Sequence, residues 1–210
     1  MNASSTIQEI LDRTKQIVHE NSIVVVDDGS IDATAEIARR CSVHVIRHTV
    51  NRGKGAALQT GFDFVLTRQW NSVVTMDSDL QHKPEDIARL LQAYRETGTD
   101  IIIGSRRKKK VMPFHRILSN TITTFLVQAR TGKNIVDSQS GFRFLSRRVL
   151  ESVRLSSFGY EAETELLIKA AIRGFSFGSI PIDTVYAGEQ SHMTHIITTL
   201  NFIKVLFGQY

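Results

Sequence analysis

Ile23-Val24-Val25-Val26-Asp27-Asp28-Gly29-Ser30 runs through four β-branched residues and stops on two acids, a glycine and a serine. The run is short and apolar, and it reads as a buried strand delivering its carboxylates into a loop. The same grammar returns in Ser72-Val73-Val74-Thr75-Met76 followed by Asp77-Ser78-Asp79, and in Ile101-Ile102-Ile103-Gly104 followed by Ser105-Arg106. Residues 43–47 are a further strand candidate. Helical segments lie between: residues 33–40, capped by Ser30 or Asp32, then about 56–68, then 83–94 with Pro84 in the tolerant first turn. Strands alternating with helices imply right-handed βαβ units and a mostly parallel sheet flanked by helices, an α/β fold. In such sheets ligands collect beyond the carboxyl ends of the strands. Asp27-Asp28, Asp77/Asp79 and Ser105-Arg106 each follow a strand, so they are expected to meet at one rim.

Outside this half the pattern loosens. Residues 6–19 place Ile7, Ile10, Leu11 and Ile17/Val18 at helical spacing. After the basic run Arg106-Arg107-Lys108-Lys109-Lys110 and Pro113, a helix is expected over 114–130. A strand follows at 142–145, a helix at 160–173 and a strand at 175–180 ending on Pro181. Residues 187–195 read as a polar loop. Ile196, Leu200, Ile203 and Phe207 form one helical stripe, suited either to core packing or to a membrane surface.

Composition narrows the classes. A chain of 210 residues with 41% hydrophobic and 22% charged residues fits one soluble globular domain. Cys41 is the single cysteine, so no internal disulfide forms, which suits a reducing cytoplasm; it reads as a small buried hydrophobe. Nothing resembles a secretory signal or a membrane span, and the expectation is a cytoplasmic protein, soluble or peripheral on the membrane face. The net charge of +5 favours anionic partners. Nucleic acid is not expected among them, because helix-turn-helix, RNP-like and zinc-finger patterns are absent.

Two carboxylates two residues apart, with the Gln81 amide next to them, offer oxygen ligands for magnesium or manganese. The plain alternative is a turn or helix-capping acid pair; the neighbouring strand-end clusters favour the metal. Asp27 or Asp28 can accept hydrogen bonds from a nucleoside, or simply cap the next helix. Gly53-Lys54-Gly55 lacks the rest of a Walker P-loop, yet Lys54 at a helix start can reach an anion. Arg106, with Arg116 and Ser119 a short loop later, suits phosphate. Asp137-Ser138-Gln139-Ser140-Gly141-Phe142-Arg143 shapes a sugar or acceptor site, or a capped turn. His192 and His195 match no zinc pattern.

Taken in order, Val25 to Ser30 with Asp32 and Thr34, Asn51 to Gly55, Met76 to His82 with Pro84-Glu85-Asp86, Gly104-Ser105-Arg106 and Ser140 to Arg143 resemble the family 2 glycosyltransferases. The resemblance is to those that make polyprenyl-phosphate sugars, such as the dolichyl-phosphate mannose synthases. It implies the GT-A fold over the whole chain: a Rossmann-like nucleotide-sugar half (about 1–105) joined to an acceptor half (about 106–210). It implies that Asp77, Asp79 and Gln81 bind Mg2+ or Mn2+, with Asp79 and Arg106 closest to the chemistry. Asp28 and Asp27 would contact the nucleoside, while Arg106, Arg116, Ser119 and Arg143 would serve phosphates. The implied reaction is inverting transfer of a hexose, mannose before glucose, from a GDP-mannose or UDP-glucose type donor to polyprenyl (dolichyl) phosphate. The lipid phosphate is already an anionic nucleophile, so no strong base is required.

Two departures qualify this. Family members open with a strand and a turn lining the nucleotide pocket, whereas Met1-Asn2-Ala3-Ser4 reads as the inside of that turn. A sheet without its usual first strand is therefore expected, with unpaired backbone where that strand would lie, and a non-catalytic sugar-nucleotide-binding module becomes the rival reading. Residues 137–143 also resemble the dolichyl-phosphate glucose synthases. A nucleotidyltransferase is disfavoured by the absence of its glycine-rich N-terminal signature.

Overall fold

The computed structural model describes residues 1–106, 114–184 and 195–210, with side chains from Ser119 in one helix and from Thr199 in the last. Arg107 to Lys110, His192 and the 187–194 part of the expected polar loop lie outside the described residues, as do the side chains of Arg116 and His195. The elements alternate as expected: α1 (Ile7–Lys15), β1 (Val24–Asp27), α2 (Thr34–Arg40), β2 (His44–Arg47), α3 (Lys54–Leu66), β3 (Ser72–Thr75), α4 (Asp86–Thr97) and β4 (Ile101–Arg106). Next come α5 (Phe114–Thr131), β5 (Arg143–Ser146), α6 (Arg147–Ser152), α7 (Ala162–Ile172), β6 (Phe177–Ile182) and α8 (His195–Phe207).

The sheet is mixed rather than mostly parallel. β1 pairs with β2 in parallel, and β4 with β6 in parallel, but β5 runs antiparallel to both β3 and β4. A short apolar run carries no direction, so the reversal of β5 was invisible in sequence. Pro181 lies within β6 instead of ending it; among the described residues β6 has only β4 as a neighbour, and a sheet edge tolerates a residue without an N–H.

The strands form two sheets, β1-β2 and β3-β5-β4-β6. Among the described residues, β1 pairs only with β2 and β3 only with β5, so the two sheets are not joined by hydrogen bonds between these strands. Both β1 and β3 are largely half-buried, whereas β5 is wholly buried and β4 is buried over Ile101–Gly104. The first residues tie the two parts together at the rim. Asn2 N donates to Ser30 Oγ at 2.8 Å, Ala3 N to Thr34 Oγ1 at 2.7 Å and Ser4 N to Asp32 Oδ2 at 3.1 Å. Thr6 Oγ1 then donates to the Ser78 carbonyl at 2.6 Å, on the far side of the break. Val18 packs against the apolar clusters of both parts.

The largest core joins the two halves of the chain, from Phe62 and Ile101 through Leu145, Leu166 and Leu167 to Leu206. It fixes α7 behind β4 and β5, which sets the height of the acids that α7 carries.

Candidate active site

The register of the second sheet brings the chemistry to one end. Arg143 of β5 is opposite both Thr75 of β3 and Ile103 of β4. The acids just beyond β3 (Asp77, Asp79) and the arginine that closes β4 (Arg106) therefore leave the sheet together. Leu80 sits at φ +59°, a left-handed turn that few apolar residues adopt. It folds the chain so that Gln81 N donates to Asp79 Oδ1 at 3.0 Å.

Asp77 is met from below by Lys54. The ammonium lies 2.8 Å from Asp77 Oδ1, 2.9 Å from Oδ2 and 2.8 Å from Glu163 Oε1. Burial pushes Lys54 towards its neutral form, but the charges of Glu163 and Asp77 outweigh it and raise its pKa. Burial likewise opposes ionisation of Asp77, and Lys54 overcomes it, so the Asp77 pKa is lowered. Lys54 was expected at a phosphate; here it is held between carboxylates. Its placement explains the flanking glycine: a Cβ on Gly55 would lie 2.1 Å from the Ser157 carbonyl oxygen, and Gly55 N donates to the Phe158 carbonyl at 2.7 Å.

Asp28 is similarly occupied. It accepts from Arg52 N at 2.9 Å and Gly53 N at 2.8 Å, and its Oδ1 lies 2.6 Å from His48 Nδ1. His48 Nε2 in turn is 2.9 Å from Thr60 Oγ1. Asp28 thus anchors the loop that presents Lys54. Asp27 is buried, accepts from Ser30 N at 3.2 Å, and has Arg47 Nε 3.2 Å from an Oδ2 that makes no hydrogen bond.

Arg106 clasps Asp137 through Nε at 2.8 Å and Nη2 at 2.9 Å. Arg143, expected on the phosphate side, is 2% exposed and donates to the carbonyls of Glu163 and Ser138, both at 2.8 Å. It acts on the site through its field and not by contact. Ser119 lies exposed on α5, its carbonyl accepting from Thr123 Oγ1 at 2.9 Å. His82 stacks on Phe142 at 5.4 Å, and burial lowers its pKa against the pull of Asp77 and Asp79.

Three residues that matter here escaped the sequence reading: His48, Glu163 and the pairing role of Asp137. His48 ends a strand as the named acids do, and that position was its only signal. Glu163 carries no signal beyond its place in the first turn of α7, where acids are common.

The all-oxygen set of Asp77, Asp79 and Gln81 fits a hard divalent cation, and Lys54 shows that Asp77 already holds positive charge. The described residues contain no cluster of three or more histidine, cysteine or acidic side chains able to bind a metal alone. Two shallow cavities lie away from the acid pair, one beside α3 near Arg52, Thr60 and Phe158, the other near Tyr94 and Asp100. Asp77 and Asp79 are half-buried at the rim.

Residues 1–154 match the family model described as glycosyl transferase family 2. The chain belongs to this family. It is a glycosyltransferase, and its fold is of the GT-A type. It is 35% identical to the polyprenol monophosphomannose synthase of Mycolicibacterium smegmatis, over 86% of this chain and 73% of the relative. It is 30% identical to the UDP-N-acetylglucosamine–dolichyl-phosphate N-acetylglucosaminyltransferase of Methanococcus voltae, over 88% and 82%. Among solved structures, glucosyl-3-phosphoglycerate synthase from Mycobacterium tuberculosis, in complex with Mn2+, UDP and glucosyl-3-phosphoglycerate, superposes with a TM-score of 0.75. At 22% identity, covering 98% of this chain and 75% of that one, it speaks for the fold alone.

Proposed function

We propose that this family 2 glycosyltransferase moves a hexose from a nucleoside diphosphate sugar to a polyprenyl phosphate, with mannose the first donor sugar to test. The observation that carries the reading is the shared exit of Asp77, Asp79 and Arg106 at one end of the sheet, fixed by their strands' common partner Arg143. Of the relatives named above, one is by name a synthase of polyprenol monophosphomannose and the other a transferase of N-acetylglucosamine to dolichyl phosphate, so both names join a sugar to a polyprenol-type phosphate and differ in the sugar.

Asp77, Asp79 and Gln81 would hold Mg2+ or Mn2+, which supplies charge neutralisation for the departing diphosphate. The acceptor phosphate oxygen forms the new bond to the anomeric carbon as the bond to the donor's diphosphate breaks, with inversion. That oxygen is already anionic, so no side chain has to remove a proton. Asp79 and Gln81, locked to each other by the Leu80 turn, hold the donor end in register. Arg106, fixed by Asp137, sets positive charge at the end of β4, where phosphate oxygens are to lie. Asp28 works one step removed, holding residues 52–53 and through them Lys54.

Peripheral membrane contact suits a lipid acceptor. No helix among the described residues is long and apolar enough to cross a membrane. On α8, Phe202, Val205 and Leu206 face the core, while Leu200, Ile203 and Phe207 are exposed; Ile122 and Phe125 of α5 are exposed as well. Leu200, Ile203 and Phe207 of the expected stripe thus lie on the surface and not in the core, and they offer a face for lipid.

Incubating the chain with labelled GDP-mannose, UDP-glucose or UDP-N-acetylglucosamine, Mn2+ or Mg2+, and dolichyl phosphate tests the proposal. Lipid-linked label that disappears with EDTA and in Asp79→Ala supports it. Nucleotide binding without transfer in any arm rejects it in favour of a sugar-nucleotide-binding module, the reading that the divided sheet favours.

A further inference from the structure

Lys54 makes contacts that the proposed reaction does not require. Its ammonium engages both oxygens of Asp77 and one of Glu163, all within 2.9 Å. The three groups converge from α3, β3's exit and α7, and the space they share exists because residue 141 has no side chain. A Cβ on Gly141 would fall 2.7 Å from Glu163 Oε1, 2.8 Å from Asp77 Oδ2 and 3.1 Å from Lys54 Nζ. Glu163 is the more enclosed acid, its side chain 10% exposed against 37% for Asp77. One cation is thus shared between a more enclosed carboxylate and one that opens to the rim.

An ammonium and a divalent cation cannot both sit closely on Asp77 without strong repulsion. Lys54 has a second carboxylate already in contact, so it can give up Asp77 without becoming an unpaired buried charge. The Tyr160 ring, 5.7 Å from Nζ, adds a further favourable surface on that side.

We infer that Lys54 and Glu163 form a counter-ion relay: Lys54 holds Asp77 in position until a divalent cation arrives, and Glu163 then takes the lysine. Both are positioning residues, acting through the place they give Asp77. The inference rests on Asp77 being a metal ligand, as proposed above.

The relay sets the affinity for metal, read by titrating Mn2+ with fixed GDP or UDP and following free Mn2+ by electron paramagnetic resonance. Lys54→Met removes the competitor and is expected to tighten Mn2+ binding about tenfold, the scale set by one lost repulsion of this range under water-like screening. Glu163→Gln leaves Lys54 with Asp77 alone and is expected to weaken it several-fold. Simple charge effects give the same two signs, so the double variant decides. In a relay Glu163 acts only through Lys54, and Lys54→Met/Glu163→Gln binds as tightly as Lys54→Met. For two independent charges the changes cancel and the double variant returns to the wild-type affinity, which overturns the relay. The double variant removes both charges of the inner pair, so it keeps the comparison with wild type available even where Lys54→Met alone does not fold. Wild-type protein that binds no Mn2+, with GDP or with UDP, would overturn the metal site itself and the relay with it.

Discussion

Arg106 presents the edge of its guanidinium to Asp137, Nε to Oδ2 at 2.8 Å and Nη2 to Oδ1 at 2.9 Å, and its backbone N–H points to the same Oδ2 at 3.3 Å. The pair is nearly enclosed, with side chains 16% and 9% exposed. Removing one partner leaves a charge in a poorly hydrated place, which costs about 3 kcal/mol or more. Asp137→Ala is therefore expected to lower unfolding stability by about that amount in urea titrations. Burial alone would raise the Asp137 pKa, but Arg106 outweighs it and the folded value is lowered. The pair's contribution is then complete above the ordinary carboxylate value and lost as pH falls through the depressed one. Asp137→Asn should flatten the acid limb of the stability profile below about pH 4; an unchanged limb would assign the acid sensitivity to other groups.

Asp28 separates two meanings of a strand-end acid. Each of its oxygens is engaged, by His48, Arg52 N and Gly53 N. A residue that only touched the nucleoside would alter nucleotide affinity and leave stability alone. Asp28→Ala is expected to cost about 2 kcal/mol, because buried donors lose their acceptor. It should also weaken donor binding, since the loop before Lys54 comes loose. Differential scanning fluorimetry beside a nucleotide titration checks this, and a normal Tm with weakened binding would restore the direct-contact reading.

Strand-to-loop transitions such as Val26-Asp27 and Met76-Asp77 were legible because burial and chemistry change within one residue. That was enough to place the rim and the Asp77/Asp79 pair on it. What the acids do there was not legible. Lys54 meets Glu163 only after α7 has packed behind β4, and no local pattern encodes a contact across so much chain. The family resemblance puts Arg143 on the phosphate side; β5 buries it between two strands and turns it onto carbonyls. The divided sheet was foreseen from the opening residues, but the hydrogen bonds of Asn2, Ala3, Ser4 and Thr6 across the break were not.

Two glycines of α3 should respond in opposite ways to the same substitution. A Cβ at Gly55 would overlap the Ser157 carbonyl at 2.1 Å, whereas at Gly61 it would meet Val26 Cγ2 at an ordinary 3.5 Å. Gly61→Ala relieves the entropic cost of glycine inside a helix and is expected to stabilise by about 0.5–1 kcal/mol. Gly55→Ala must push α3 away from residues 157–158 and is expected to destabilise by about 2 kcal/mol or more. It should also lower transfer activity by displacing Lys54. Chemical denaturation of the two variants makes the comparison, and similar values for both would mean the approach at residue 157 is slack.

The outer face of α8 offers the sharpest separation of surface from core. Leu200, Ile203 and Phe207 are 55%, 45% and 73% exposed, whereas Val205 and Leu206, on the same helix, are 5% and 3% exposed. If the outer residues meet lipid, Ile203→Ser/Phe207→Ser should leave unfolding stability within about 0.5 kcal/mol of wild type. Binding to vesicles containing anionic lipid should nevertheless fall, because the apolar area that enters the interface is lost. Leu206→Ala should do the reverse, destabilising by about 2–4 kcal/mol through a core cavity. Vesicle co-sedimentation and urea titration on the same preparations read both quantities. Binding that survives the double serine substitution, or that falls only in step with stability, would remove α8 from the lipid-facing surface and return its exposed residues to the ordinary apolar share of a protein surface.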